Sequence, residues 1–424
     1  MKEFKINDLL TLKLEWDNKT YIYVDKELFM HCKYLLLNIL MDESPLLNTI
    51  NSIDEAEEKL DKSLELPETS QNIQIDPETE FWAHCSNLQA WYEYNYDTRL
   101  LHRNLAFPLL SRLANAGDQI AIIALKEEIA ERLSSGNENV AEFLINEGYV
   151  DYLSHEEQIA SVLNPVEAET LLELERFTGK AFIQAGSWMH FDPGTFKEPQ
   201  QQFLVRKKAI IALLIYWFEK PAKMLPGSIG NFKNLEVLRY MGENIIGLPN
   251  SITNLKYLRE LSVDSEILVK FPNSIIKLTN LEGLSIRSPL LSSIPEKISN
   301  LKRLKLLSIG SRINCIPDSL SQLKNLESLY LNSNPLKKIP ESIYSLKNLI
   351  QFHIGNTKIE ELSESIAKLE NLDVLDIKQI YLKEIPEAVL SLKNLRILFI
   401  KKKNFSEKSI RIIETLEKRG VMIF

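Results

Sequence analysis

The sequence predicts an α/β chain in two parts: a C-terminal solenoid, a horseshoe with a parallel β-sheet on its concave face, preceded by a mostly helical α+β domain. Three observations predict it. A proline frame recurs at a fixed period through the second half, the apolar spacing inside each frame changes from three to two, and the first half carries a succession of helix start and stop signals instead.

Pro226, Pro249, Pro272, Pro295, Pro317, Pro340, Ser363 and Pro386 fall 23 residues apart, with a single step of 22 between Pro295 and Pro317. In "PDSLSQLKNL" the apolar residues Leu320, Leu323 and Leu326 follow Pro317 at threes, and Leu326, Leu329 and Leu331 then move toward alternation. Such a change denotes a helix-like or 3₁₀ turn followed by a short strand. One such unit cannot bury its own apolar side. Stacked units pair their strands in parallel and merge their Ile and Leu columns into one core. Proline sits where the chain leaves a turn, so its missing N–H costs little.

"LESLYLNSNPLKKIPESIYSLKNL", residues 326–349, resembles the leucine-rich-repeat consensus LxxLxLxxNxLxxIPxxIxxLxxL. The resemblance is to the intracellular 23-residue class of Ras-associated and Scribble-like adaptors. It implies about eight repeats over 226–403 within a domain spanning 201–424. One departure stands out: the consensus asparagine occurs at Asn334, whereas its counterparts are Glu243, Glu266, Pro289, Arg312, Thr357, Ile380 and Lys403. The asparagine ladder is therefore mostly missing, and irregular turns are expected along that edge.

Ahead of the first frame, "FLVRKKAIIALLIYWFEKPAKML" fits a buried helix or a hairpin, and periodicity does not separate the two. Its bulky, β-branched content favours a hairpin over 203–218 whose second strand opens the sheet. At the far end a cap over 404–424 has Ser406 as N-cap, Ile410, Ile413 and Leu416 on one face and Gly420 after the helix, covering the last repeat as solenoids require.

The N-terminal domain, 1–200, opens with alternating Leu10, Leu12, Leu14 and Trp16, then Tyr21 to Val24, a β-hairpin over 8–24. "SIDE", Ser52 to Glu55, is a capping box that starts a helix reaching Leu64. A helical region follows over 77–178, with starts at Asp76–Pro77, Asp97 or Thr98, Asp118 and Asn164–Pro165, and stops at Gly117, Gly136, Gly148 and Gly179. Pro108 inside its helix should kink it. The segments "FWAHCSNLQAWYEYNYDTRLLHRNLAFPLL" and "LKLEWDNKTYIYVDKELFMHCKYLLLNI" resemble an N-terminal module of leucine-rich-repeat proteins from Asgard archaea. That resemblance implies a domain layout and a source, and carries no activity.

Composition narrows the function. Residues 1–220 hold 20 Lys and Arg against 37 Asp and Glu, a net of −17, whereas the remaining 204 hold 30 against 21, a net of +9. Such an asymmetry fits an acidic partner for the basic half or two differently solvated surfaces. The first residues alternate instead of forming an apolar h-region, and the apolar run Ile210 to Phe218 is far short of the roughly 20 residues that span a bilayer. A cytoplasmic location is expected. Cys32, Cys85 and Cys315 are too scattered for a disulfide framework or a CxxC metal site. No GxxxxGK[ST], GxGxxG, GxSxG or HExxH occurs, and "HEEQI" fails the last at Ile159.

"HCSNLQAWYEYNYDTRLLHRN", residues 84–104, brings a cysteine and two histidines together in sequence, as a nucleophilic site would. Helix spacing argues otherwise. Phe81, Cys85, Leu88 and Tyr92 share one apolar face, where a thiol is a poor nucleophile. With a turn at "YNYD", His84 and His102 differ in height by roughly 9 Å on helices about 8–10 Å apart. Asp97 is better explained as an N-cap.

No catalytic residue, metal site or cofactor is assigned, and the chain is read as a non-enzyme. The leading function is protein–protein interaction, as a scaffold or adaptor in signalling, on the concave sheet. The central column is Arg239, Ser262, Ser285, Ser308, Tyr330, His353, Asp376 and Phe399, flanked by Glu260, Asp264, Arg287, Asn332, Lys378 and Lys401. A protein partner is expected, a small GTPase or another signalling protein, and neither nucleic acid nor membrane. Two alternatives stand beside it: a hydrolase or transferase in the N-terminal domain, and polyanion binding through "KKKNF" at 401–405.

Overall fold

A computed structural model describes residues 2–31, 75–101, 103–135, 137–185, 200–216, 224–401 and 405–424. The helix expected from Ser52, together with Cys32, His102 and residues 402–404, lies outside the described residues. The chain divides into two compact units, Met1–Ser161 and Val162–Phe424.

The first unit begins with an antiparallel meander of four strands, β1 (Lys2–Lys5), β2 (Leu10–Leu14), β3 (Thr20–Val24) and β4 (Glu27–His31), paired in that order. Leu10, Leu12, Ile22 and Val24 are buried on one face, whereas Trp16 projects from the β2–β3 turn, 83% exposed. Helix α1 (Pro77–Glu93) starts at Asp76, whose carboxylate accepts from the backbone N–H of Glu78 and Thr79. Its buried face is Phe81, Cys85, Leu88 and Trp91. Trp91 takes the place expected of Tyr92, because both positions continue an i, i+3, i+4 stripe and the larger indole fills the core.

Asp97 caps a three-residue 3₁₀ turn, Thr98–Leu100, not a full helix. Helix α2 (Arg103–Asn115) follows and contains Pro108. Helix α3 (Gln119–Ser134) is capped by Asp118, and α4 (Glu138–Asn146) by Asn137. Asp118 does more than cap: it also accepts from Tyr96 Oη at 2.5 Å and Asn7 Nδ2 at 3.2 Å, tying sheet to helices. Helix α5 (His155–Val162) runs to the division.

The second unit holds α6 (Pro165–Thr178) and a twelve-stranded sheet. Glu167 of α6 is buried and accepts from Ile210 N at 2.6 Å, and Asn164 donates to Lys208 O. Strand β5 (Phe182–Gln184) pairs parallel with β6 (Gln201–Arg206), and β6 pairs antiparallel with β7 (Ala209–Tyr216), a hairpin. From β7 onward every pairing is parallel: β8 (Val237–Met241), β9 (Glu260–Asp264), β10 (Gly283–Arg287), β11 (Leu306–Gly310), β12 (Ser328–Tyr330), β13 (Gln351–His353), β14 (Val374–Asp376), β15 (Ile397–Phe399) and β16 (Met422–Ile423).

Each frame folds as a 3₁₀ turn followed by a strand. The frame residue is the N-cap in seven of the eight, while Ser274 caps the turn after Pro272. At the frame without proline, Ser363 Oγ accepts from Ser365 N at 3.1 Å. Ladder strands stand about 4.8 Å apart, closer than the turns opposite can pack, so the sheet lies on the concave side. The columns through Ile229, Phe232, Leu235 and Leu238 are fully buried. At about 25 cal/mol per Å² this continuous apolar burial is the main stabilising term. The 22-residue step is absorbed in the loop "GSRINCIP" after β11, and β11 still pairs with β12 in register.

Side chains bridge successive repeats on both edges. Asn280, Asn325, Asn348, Asn371 and Asn394 each donate to a backbone carbonyl one repeat earlier at 2.7–2.9 Å. On the other edge Asn334 is buried and joins Ile309 O, Leu331 O and Ile313 N. That edge is more regular than the missing asparagines imply, because serines act one position earlier: Ser265 donates to Ile245 O and Ser288 to Leu268 O, at 2.7 and 2.8 Å.

At the far end α7 (Glu407–Lys418) buries Ser409, Ile412, Ile413 and Leu416. Ile410 is exposed instead of Ile412, since the i, i+3, i+4, i+7 stripe begins at the small Ser409, which accepts from Ile385 N.

Candidate concave interaction surface

Pleating sends alternate side chains of each strand to the concave face. Register then places Arg239, Ser262, Ser285, Ser308, Tyr330, His353, Asp376 and Phe399 side by side across eight strands. Glu260, Asp264 and Arg287 lie two residues from the column within β9 and β10, and Asn332, Lys378 and Lys401 two residues beyond it.

The column has two characters. From Ser262 to Ser308 it is small, and two of its flanking charges, Asp264 and Arg287, pair at 3.6 Å. From Tyr330 it becomes aromatic. Tyr330 and His353 stack with ring centroids 4.5 Å apart, His353 leans toward Phe399 at 6.4 Å, and Phe399 stacks on Phe424 at 5.4 Å.

Asp376 stands between His353 and Phe399 in the column. Its Oδ2 is 3.5 Å from His353 Nδ1 and accepts from Asn332 Nδ2 at 2.6 Å, while Oδ1 accepts from Lys378 N at 3.0 Å. Burial works against the carboxylate, yet the bonds from His353, Lys378 N and Asn332 outweigh it and hold Asp376 below the usual carboxylate range. Gly355 makes the room: a Cβ there would stand 2.7 Å from Asp376 Oδ1.

Sequence reasoning missed two members of this surface. Gln351 accepts from the Tyr330 hydroxyl, and its place two residues before His353 on the same face was the available signal. Phe424 extends the column because Leu398 pairs with Ile423 across β15 and β16; the helix between those strands hides the frame.

A second row runs where the chain enters the strands. Backbone bonds link Glu236, Arg259, Glu282, Lys305, Glu327, Ile350, Asp373 and Arg396 in succession. Lys305 donates to Glu282 at 2.8 Å, and Arg396 grips Asp373 through two bonds of 2.6 Å.

The N-terminal stretch gives no comparable geometry. Cys85 is 2% exposed and burial pushes its thiol up to about 12, opposite to what a nucleophile needs. His84 meets Glu80 at 3.4 Å on its own helix. Among the described residues no group of three or more His, Cys, Asp and Glu is arranged to hold a metal ion, and no helix is long and apolar enough to cross a membrane.

Comparison with known families places leucine-rich repeats in the C-terminal region. A family model described as "Leucine-rich repeat region" matches residues 216–312, and one described as "Leucine Rich repeats (2 copies)" matches 324–368. No curated protein matches the chain. Similar solved structures include the plant peptide hormone receptor RGFR1 in complex with RGF2, at 24% identity over 48% of this chain and 39% of that one, TM-score 0.36. An internalin from Listeria monocytogenes matches at 14% identity over 62% of this chain and 89% of its own, TM-score 0.33. The ectodomain of the receptor kinase GASSHO1/SCHENGEN3 from Arabidopsis thaliana matches at 20% identity over 56% and 35%, TM-score 0.35. The chain thus spans well under half the length of both plant receptors.

Proposed function

We propose that the chain binds a protein partner on the concave sheet of its leucine-rich-repeat solenoid and catalyses nothing itself. The observation that carries this reading is the aromatic run Tyr330, His353, Phe399 and Phe424, stacked on a rigid sheet and bordered by charge. Aromatic side chains that are already ordered lose little entropy on binding and are the residues that most often anchor a protein interface. The leucine-rich-repeat matches support a protein-interaction role for this region. A scaffold or adaptor in signalling, working in the cytoplasm, is the finer form of the reading. The resemblance to Ras-associated repeats makes a small GTPase the first class to test, and that of the N-terminal segments makes an archaeal source part of the same reading.

The test is affinity capture from the native host with the whole chain as bait, identified by mass spectrometry. A protein recovered with wild type and Ser285→Ala and lost with Tyr330→Ala plus His353→Ala supports the reading. Equal recovery with the double variant overturns it. Thiol-reactive labelling addresses the enzymatic alternative: in the native chain Cys315, which is exposed, reacts, and Cys85 reacts after unfolding. Rapid native labelling of Cys85 would reopen that alternative.

A further inference from the structure

The ladder of backbone bonds runs on past the aromatic column. Ser333 N donates to Gly355 O, Asn356 N to Lys378 O and Ile400 N to Phe424 O, at 3.0, 2.7 and 2.8 Å, so the row two residues beyond the column stays in register. That row is Asn332, Gly355, Lys378 and Lys401, and both lysines are exposed. Among the described residues neither ammonium makes an ion pair or a hydrogen bond.

The carboxylate of the column does not balance them. Asp376 is turned the other way, toward Gly355, where a Cβ would stand 2.7 Å from its Oδ1. Its oxygens are taken by Asn332 Nδ2, by His353 Nδ1 and by the main chain at Lys378 N. Asp373 is held by Arg396. Glu327 precedes Asn332 by five residues, roughly 16 Å along the strand, twice the screening length of about 8 Å. The row before the column, Ser328, Gln351, Val374 and Ile397, carries no charge. The half of the sheet that offers rings thus offers two uncompensated cations and no carboxylate to spare, which attracts an acidic ligand and repels a basic one.

Spacing sets the rest. Lys378 and Lys401 follow neighbouring strands about 4.8 Å apart, near enough for one carboxylate to reach both, and their row lies two residues, roughly 6.7 Å, from Phe399 along the strand. In an extended peptide the side chains of one face recur at that same distance. Phe424, 55% exposed, widens the ring surface beside Phe399.

We propose that this half of the concave sheet recognises an extended acidic segment of the partner protein, with an aromatic side chain against Phe399 and Phe424 and, two residues along, a carboxylate between Lys378 and Lys401. The proposal rests on the protein-binding function above and adds the chemistry of the partner.

The experiment titrates the full chain into dye-labelled pentapeptides and reads fluorescence anisotropy. Gly-Phe-Ser-Glu-Gly should bind about fivefold more tightly than Gly-Phe-Ser-Gln-Gly, and Gly-Phe-Ser-Lys-Gly more weakly than either. Lys378→Glu plus Lys401→Glu, changes at exposed positions, should reverse the order and favour the lysine peptide. Equal binding of the three peptides overturns the proposal, as does an order that the double variant leaves unchanged. So does an oligothymidylate that binds more tightly than the glutamate peptide and is lost with the same variant, since the lysines would then serve a phosphate backbone. Peptides that bind equally yet are lost with Phe399→Ala remove the acidic preference and keep the concave-face reading; partner recovery indifferent to Tyr330→Ala plus His353→Ala removes that reading itself.

Discussion

The two halves of the concave column share one scaffold and differ in everything placed upon it. Between Ser262 and Ser308 the sheet offers hydroxyls and an internal ion pair; between Tyr330 and Phe424 it offers stacked rings and, in the same column, a held carboxylate. Beneath both, the same leucine positions are fully buried, Leu284 in one half and Leu329 in the other. Inward positions of the strands therefore fix the fold, and outward ones are free to carry recognition.

Core truncation gives the largest effect and tests whether the scaffold is common. Leu284→Ala and Leu329→Ala should each cost about 2–5 kcal/mol in urea unfolding of the whole chain; a marked inequality would break the equivalence of the halves. Next come the edge bridges. Asn334→Ala leaves Ile309 O and Ile313 N buried without that partner and should cost about 1–3 kcal/mol, whereas Ser288→Ala removes one donor and should cost about 1 kcal/mol. The reverse order would mean that the serine edge, not the asparagine, holds the repeats together.

The smallest effect is one of pH, and it has opposite signs at two carboxyls. Asp376 is held below its ordinary range, so its contribution is complete above the unfolded value near 4 and is lost as pH falls through the folded one. Glu167 is pushed up by burial, against bonds from Ile210 N and Asn164, so its contribution is present below about 4.3 and is lost as pH rises through the folded value. Asp376→Asn should flatten the acid limb of a urea-midpoint profile, and Glu167→Gln should flatten its rise-of-pH limb. Unchanged profiles would remove the electrostatic distinction between the aromatic half and the helix that packs at the other end of the sheet.

The solenoid was legible because each rung repeats the last, so a single spacing states turn, strand and buried column at once. The concave column was legible for the same reason, since register follows from the frame. Single sites were less so. The serine bridges sit one residue from where asparagine was sought, and an apolar stripe at helical spacing admits Trp91 or Tyr92, Ile410 or Ile412, until packing selects one. Lys378 and Lys401 read as ordinary flanking charges in sequence; only the turn of Asp376 toward Gly355 leaves them uncompensated.

The shortened loop after β11 has a practical consequence. A residue is missing there and the rungs on either side still meet in register, so chain length on that edge is uncoupled from strand pairing. Loops of this kind accept added segments most readily. A reporter peptide or an affinity handle spliced between Asn314 and Cys315, both exposed, would thus leave the concave column available to be watched in the same molecule.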